Sequence, residues 1–249
     1  YLNLIWPVTL GLWWRLRRMA RLLPKSTSWL RRSKHHVLLL CVLIMAATSV
    51  LSLSRGGAAV AVMNMLLATG ILWIGWRRHG VMPRLGILLF FGAAFGLGLY
   101  ISGGRLAERL KEADEGLVKR EEMYDTARTM AKDYPLFGVG PGAFDPVFQL
   151  YRQSEDEYWP AQLHNDWLET RITYGLVGTA LILSALALVL LRWFLRGGIH
   201  GGRRFVILMW LALAGCLVHA RFDFPFQVHS IQFLFVLLCA ILVNLSRRP

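Results

Sequence analysis

DYPLFGVGPGAFDPVFQLYRQSEDEYWPAQLHNDWLETRITYGLVG, residues 133–178, is a polar island between apolar runs long enough to cross a membrane. Around it the charges are sorted. Fourteen of the 15 Asp and Glu residues lie between Glu108 and Glu169, and Asp223 is the remaining one. A hydrocarbon core about 30 Å thick needs roughly 17 to 25 apolar residues in helical form. Six segments meet or approach that length: Val37–Leu53, Gly57–Trp76, Leu85–Ile101, Ile172–Phe194, Phe205–Ala220 and His229–Leu245. The expected fold is therefore all-α, a polytopic transmembrane helical bundle with one long, partly helical loop on one side of the membrane. Tyr1–Trp14 is apolar but too short to cross, and is expected to be the tail of a helix that begins before Tyr1. A soluble helical bundle is disfavoured by 55% hydrophobic residues arranged in near-uninterrupted runs.

Orientation follows from Lys and Arg in the short connections. Arg15–His36 carries eight Lys and Arg and no acid, which marks it as cytoplasmic. Alternation places Arg77, Arg78 and Arg84 on the same side, then Arg192, Arg196, Arg203 and Arg204, and finally Arg247 and Arg248. Trp13, Trp14, Trp73, Trp76 and Trp193 fall at the cytoplasmic ends of helices, as an interfacial aromatic belt requires. The chain divides into a basic N-terminal transmembrane part (1–101), an outer loop (102–171), which is the periplasmic loop if the cell is a bacterium with two membranes, and C-terminal transmembrane helices (172–249), together one membrane domain. The net charge of +13 is mostly a topology signal, because 17 of the 28 Lys and Arg residues sit in these cytoplasmic segments. Nucleic acid is not needed to explain them, and anionic membrane lipids are natural neighbours. Cys41, Cys216 and Cys239 lie inside apolar runs without metal-type spacing, as packing residues.

Within the loop, Leu117, Met123, Tyr124, Ala127, Met130, Ala131 and Tyr134 fit one face of a helix that Pro135 should end. In LFGVGPGAF, Gly138, Gly140 and Gly142 permit a backbone that side chains would obstruct. Two readings are open there, a tight turn and a loop whose amides approach a phosphate. Asp166 and Glu169 have capping-box spacing, so Asn165 or Asp166 starts the next helix. His164, at the mouth of that helix, is either a general base or an interfacial hydrogen-bonding residue. Three outer arginines, Arg55, Arg120 and Arg221, are either snorkelling or solvated charges, or forked donors for a diphosphate. His219 and Asp223 are four apart with His229 following, but Pro225 leaves their directions undetermined, and no metal is assigned.

SRG at 54–56, Arg120 with its amphipathic helix, DYPLFGVGPGAF at 133–144, HNDWLETRITYGLVG at 164–178 and HARFDFPFQ at 219–227 together resemble the O-antigen ligase and polymerase superfamily of bacterial envelope glycosyltransferases. The resemblance implies that Arg55 and Arg120 bind the diphosphate of an undecaprenyl-linked glycan and that His164 acts on the acceptor hydroxyl. It implies metal-independent transfer with inversion at the sugar and no cofactor. The acceptor would be lipid A core of lipopolysaccharide, a growing glycan, or a protein hydroxyl, corresponding to ligase, polymerase or O-oligosaccharyltransferase. The expected location is the bacterial inner membrane, multi-pass, with the active face periplasmic. Arg221, His219 and Asp223 are additional site candidates; Arg221 stands where the family more often has a small or apolar residue, and Tyr124 is the aromatic that follows the loop arginine. A rival from another class is a non-enzymatic glycan-export or transporter subunit. That rival predicts polar residues midway through several helices, whereas here they gather at outer ends, with Asn64 one of the few deep exceptions. Cysteines placed at Gln153 and Gly198 should label from opposite sides of the membrane; labelling of both by an impermeant reagent from one side overturns this topology.

Overall fold

The computed structural model describes residues 1–22, 24, 33–52, 54–75, 82–102, 113–151, 162–195 and 203–245. Lys25, Arg31, Arg32, Trp76, Arg77, Arg78, His79, Arg196, His200, Arg247 and Arg248 lie outside the described residues. So do the loop stretches 103–112 and 152–161, the labelling positions Gln153 and Gly198, and the side chain of Trp193. Among the described residues the fold is all-α. Its helices are α1 (Leu2–Ala20), α2 (Val37–Leu51), α3 (Arg55–Gly75), α4 (Met82–Ser102), α5 (Ala113–Asp133), α6 (Phe144–Tyr151), α7 (Asp166–Leu195), α8 (Arg203–His219) and α9 (His229–Leu245). In lipid every backbone amide must find its partner within the protein, which a helix achieves along its own length.

Four stretches are long and apolar enough to cross a membrane: Lys34–Leu51, Arg55–Gly75, Arg84–Ser102 and Asp166–Arg192. The molecule is thus a polytopic membrane helical bundle. Of the six segments expected to span, α9 is apolar but shorter. The segment at Phe205–Ala220 is the helix α8, of 17 residues, which opens on Arg203 and Arg204. Helix α1 continues past Trp14 to Ala20, so Arg15, Arg17 and Arg18 belong to a helix and not to a connection.

The chain forms two compact units. In the first, Tyr1–Leu110 with Gly198–Cys216, the core combines Trp6 and Leu10 of α1, Val42 and Ala46 of α2, Ala61 and Met65 of α3, Phe91 of α4 and Leu208 of α8. Small residues such as Ala46, Ala61, Ala68 and Ala94, all fully buried, let the backbones approach closely where lipid offers no hydrophobic incentive to associate. Gly215 leaves room for Asn64, whose amide a Cβ there would strike. Asn64 is fully buried, and its side-chain nitrogen and oxygen have no hydrogen-bond partner among the described residues.

The second unit, Lys111–Gly197 with Leu217–Pro249, contains α5, α6, α7 and α9. Ala127 and Met130 of α5, Phe144 and Phe148 of α6, Leu163 and Ile172 form its buried cluster. Helix α5 ends at Asp133, directly before Tyr134–Pro135, as the ring of Pro135 dictates. Helix α7 is broken at Gly175, whose backbone is non-helical (φ 64°, ψ −168°). The break leaves carbonyls without partners on one side and amides on the other. The loop after Pro135 supplies both sets: Val139 N–H donates to Ile172 O and Gly140 N–H to Thr173 O, each at 2.9 Å, while Leu176 N–H donates to Pro135 O at 2.9 Å and Val177 N–H to Leu136 O at 3.1 Å. Gly138 (φ 72°) and Gly175 occupy left-handed backbone conformations at the two points of closest approach. A Cβ at Gly138 would run into the Ile172 and Thr173 carbonyls, and one at Gly175 into the Leu136 carbonyl.

The glycines of this loop are therefore unequal. Gly175→Ala should lower stability by roughly 2 kcal/mol or more, from strain and backbone displacement together. Gly140→Ala, where an added Cβ meets nothing within 4 Å, should cost only the strain of φ 98°. Thermal unfolding of the purified variants checks this; equal losses would show that the close approach is unimportant.

Candidate functional site

The second unit gathers the polar ends of three segments around His164. Asn165 is the N-cap of α7, its side-chain oxygen accepting from Leu168 N–H at 3.3 Å. The expected pairing of Asp166 with Glu169 in a capping box is not what forms. Asp166 occupies the first helical position and its carboxylate turns outward from the cap, accepting from Phe226 N–H at 2.7 Å and Gln227 Nε2 at 3.4 Å. Glu169 reaches further back, to Leu163 N–H at 3.1 Å. Both carboxylates are buried, at 1% and 6% exposure, and their work is structural: they tie the loops on either side of His164 to the start of α7.

His164 itself has φ 54°, the one positive φ of a non-glycine among the described residues. Histidine enters this left-handed region more readily than most side chains, but such geometry persists only where surrounding contacts hold it. Here Tyr124 O–H donates to the His164 carbonyl at 3.0 Å, and the Phe224 ring meets the imidazole edge-on at 4.7 Å. The ring nitrogen Nδ1 lies 3.2 Å from Asp223 Oδ1. With Asp223 ionised, Nδ1 carries the hydrogen, and in the neutral ring Nε2 is left with its lone pair. Among the described residues no hydrogen bond to Nε2 is found.

Asp223 is the hub of the cluster. Its Oδ1 also accepts from Phe224 N–H at 3.1 Å, and His219 Nε2 stands 3.6 Å from Oδ2, an electrostatic neighbour beyond hydrogen-bond length. Burial alone would raise this carboxyl, but His164, His219 and the Phe224 amide outweigh it and hold it well below the usual carboxylate range. The segment carrying Asp223 is itself fixed, since Asp166 N–H donates to Ala220 O at 2.9 Å and Trp167 Nε1 to Leu217 O at 3.0 Å.

Of the arginines, Arg120 lies on α5 with Nη1 3.4 Å from the Phe222 carbonyl. Burial raises the Tyr124 phenol, while the nearby guanidiniums of Arg120 and Arg221 act against that rise. Arg120, Arg221, Tyr124 and Asp223 thus share one neighbourhood with His164. Arg55 belongs to the first unit, where it is exposed at the first position of α3 behind the cap that Ser54 Oγ gives Gly57 N–H at 3.1 Å. His229 is exposed at the start of α9, and among the described residues no group of three or more His, Cys, Asp or Glu converges as a metal site. In LFGVGPGAF the amides of Val139 and Gly140 are committed to α7 carbonyls and that of Ala143 to Gly140 O, which favours the turn over a phosphate-binding loop.

Phe224 escaped attention in the sequence, and Glu169 entered only as the second member of a capping box. Phe224 had no signal apart from its place after Asp223, while a second acid three residues into an apolar helix was visible but read as a cap. A family model described as O-antigen ligase matches residues 40–183, more than half of the chain. That span includes Arg55, Arg120, Tyr124 and His164 and stops short of Asp223. No curated protein and no solved structure matches the chain.

Because its folded-state carboxyl is held low, Asp223 contributes stability that is complete above the ordinary carboxylate pKa of about 3.9 and is lost as pH falls below it toward the folded value. The unfolding midpoint should therefore fall more steeply between about pH 4 and pH 2 in the wild type than in Asp223→Asn. Parallel curves would count against the Asp223 pairing.

Proposed function

The chain belongs to the O-antigen ligase family, and on that premise we propose that it transfers an oligo- or polysaccharide from undecaprenyl diphosphate to an acceptor hydroxyl at the periplasmic face of the bacterial inner membrane. His164 Nε2 takes the proton of the acceptor hydroxyl as its oxygen attacks the anomeric carbon. The bond from that carbon to the diphosphate oxygen breaks on the opposite side, which inverts the sugar, and the diphosphate departs with the electron pair. Asp223 holds the imidazole in the tautomer that presents Nε2 and stabilises the imidazolium that forms. Arg120 meets the charge developing on the leaving group, with fixed donors in place before it appears.

The observation that carries this reading is the Asp223–His164 pair, held by Tyr124 at a strained backbone position. Strain of this kind, of order 1–3 kcal/mol, is tolerated chiefly where it positions a working group. Arg55 enters on the family likeness, with one physical argument beside it. A cation at the first position of a helix faces the positive end of the helix dipole, and an anion there would relieve that repulsion. Lipid A core, a growing glycan and a protein each present a hydroxyl that this chemistry accepts.

His164→Asn separates the two roles of the residue. Asparagine is at ease in the left-handed region, so the backbone should survive, yet an amide takes up no proton. Glycan transfer measured with normally expressed protein should fall on the order of 10²- to 10⁴-fold. Near wild-type transfer would remove the general-base role and leave leaving-group stabilisation by arginine as the sole mechanism.

A further inference from the structure

The first unit is almost without acid. Tyr1–Leu110 and Gly198–Cys216 contain sixteen Lys and Arg against the single acid Glu108. Part of this charge is concentrated at one end of α1. Arg17 lies over the Trp13 ring at 5.2 Å, Arg204 over the Trp14 ring at 4.3 Å, and His36 beside Trp13 at 6.4 Å. Trp13 and Trp14 meet edge to face at 6.0 Å, so their rings join Arg17, Arg204 and His36 into one cluster. Arg18 and Arg21 extend it. Burial lowers Arg204 with Arg18 adding to the effect, and burial lowers Arg17 with Arg21 adding to it.

Two features of the cluster are accounted for within the chain. Arg204 donates to the Gly75 carbonyl at 2.6 Å and so closes the last turn of α3, and the basic residues of α1 complement the negative end of that helix's dipole. Arg18 and Arg21 remain exposed at that end of α1, in a unit whose sequence holds a single acid.

From this juxtaposition of arginines, indole rings and apolar helix faces we propose that the cluster formed by Arg17, Arg18, Arg21, His36 and Arg204 around Trp13 and Trp14 binds the phosphate of an anionic phospholipid headgroup. Guanidinium and phosphate match in charge and in forked geometry. Indole rings favour the depth at which headgroups lie. What selects a phospholipid over free phosphate is the surface leading away from the cluster. Leu12, Leu16 and Met19 are exposed along one side of α1, and Val37, Leu40 and Ile44 along one side of α2, at 36–62% exposure. Each series has helical spacing, and together they offer apolar tracks for acyl chains next to the charged head.

The test is native mass spectrometry of the detergent-purified chain with added phosphatidylglycerol, phosphatidylcholine or inorganic phosphate. Wild-type protein should retain phosphatidylglycerol in preference to phosphatidylcholine, and inorganic phosphate at equal concentration should not displace it. Arg18→Gln combined with Arg21→Gln removes two exposed charges while sparing the Arg204–Gly75 contact. It should weaken phosphatidylglycerol binding on the order of ten- to thirty-fold, and Arg18→Lys with Arg21→Lys should recover most of it. Equal retention of the two lipids, or unchanged binding in the Gln variant, overturns the proposal. Displacement by inorganic phosphate would assign the site to a free anion instead. Should the Gln variant fail to fold, the wild-type preference between the two lipids still decides the matter.

Discussion

Four backbone hydrogen bonds between residues 135–140 and the break in α7 are the constraint on which the second unit depends. An α-helix interrupted near a membrane boundary exposes groups that each cost about 1–3 kcal/mol if buried without partners. Here the interruption is tolerable because a loop, ordered by its own glycines, supplies acceptors and donors at the right spacing. The loop in turn gains a fixed conformation, although it has few side chains suited to holding one. Each partner is irregular alone and determined in the pair.

The position of His164 follows from that arrangement. The break frees the segment Asp166–Tyr174 from the direction of the helix after Gly175, and Asn165 starts this short segment with its own cap. Buried Asp166 and Glu169 then hold the strands of chain on both sides, at Phe226 and Leu163. Asp223 is brought to the imidazole by a turn that Asp166 N–H and Trp167 Nε1 also anchor. The polar network is thus extensive and mostly backbone-directed, which is how a partly buried site can hold a left-handed histidine without losing order.

The helical bundle was legible because apolar runs and sorted charges are strong signals, and the end of α5 was legible because proline acts locally. The limits of α1 were not: Arg15, Arg17 and Arg18 look like a loop by composition, yet arginine is a good helix former and Trp13 and Trp14 anchor the preceding turn. His164, Arg120, Arg221, His219 and Asp223 could each be picked out as residues, but their convergence could not, since it joins segments some sixty residues apart through turns of undetermined direction. Gly175 was hidden for a different reason. Its neighbours Tyr174, Leu176 and Val177 continue an apolar run without interruption, and the break is visible only through the loop that fills it.

The pairing of the loop with α7 is made by main-chain atoms, which carry no record of side-chain identity. Leu136, Phe137, Leu176 and Val177 lie around it with their side chains exposed, at 55%, 75%, 54% and 42%. Sequence drift at those four positions leaves the junction intact, while the two glycines and the number of residues between Pro135 and Gly140 cannot change, because one insertion would move every amide off its carbonyl. A distant homologue of this architecture would therefore betray itself by loop length and a pair of glycines rather than by any resemblance in the residues between them.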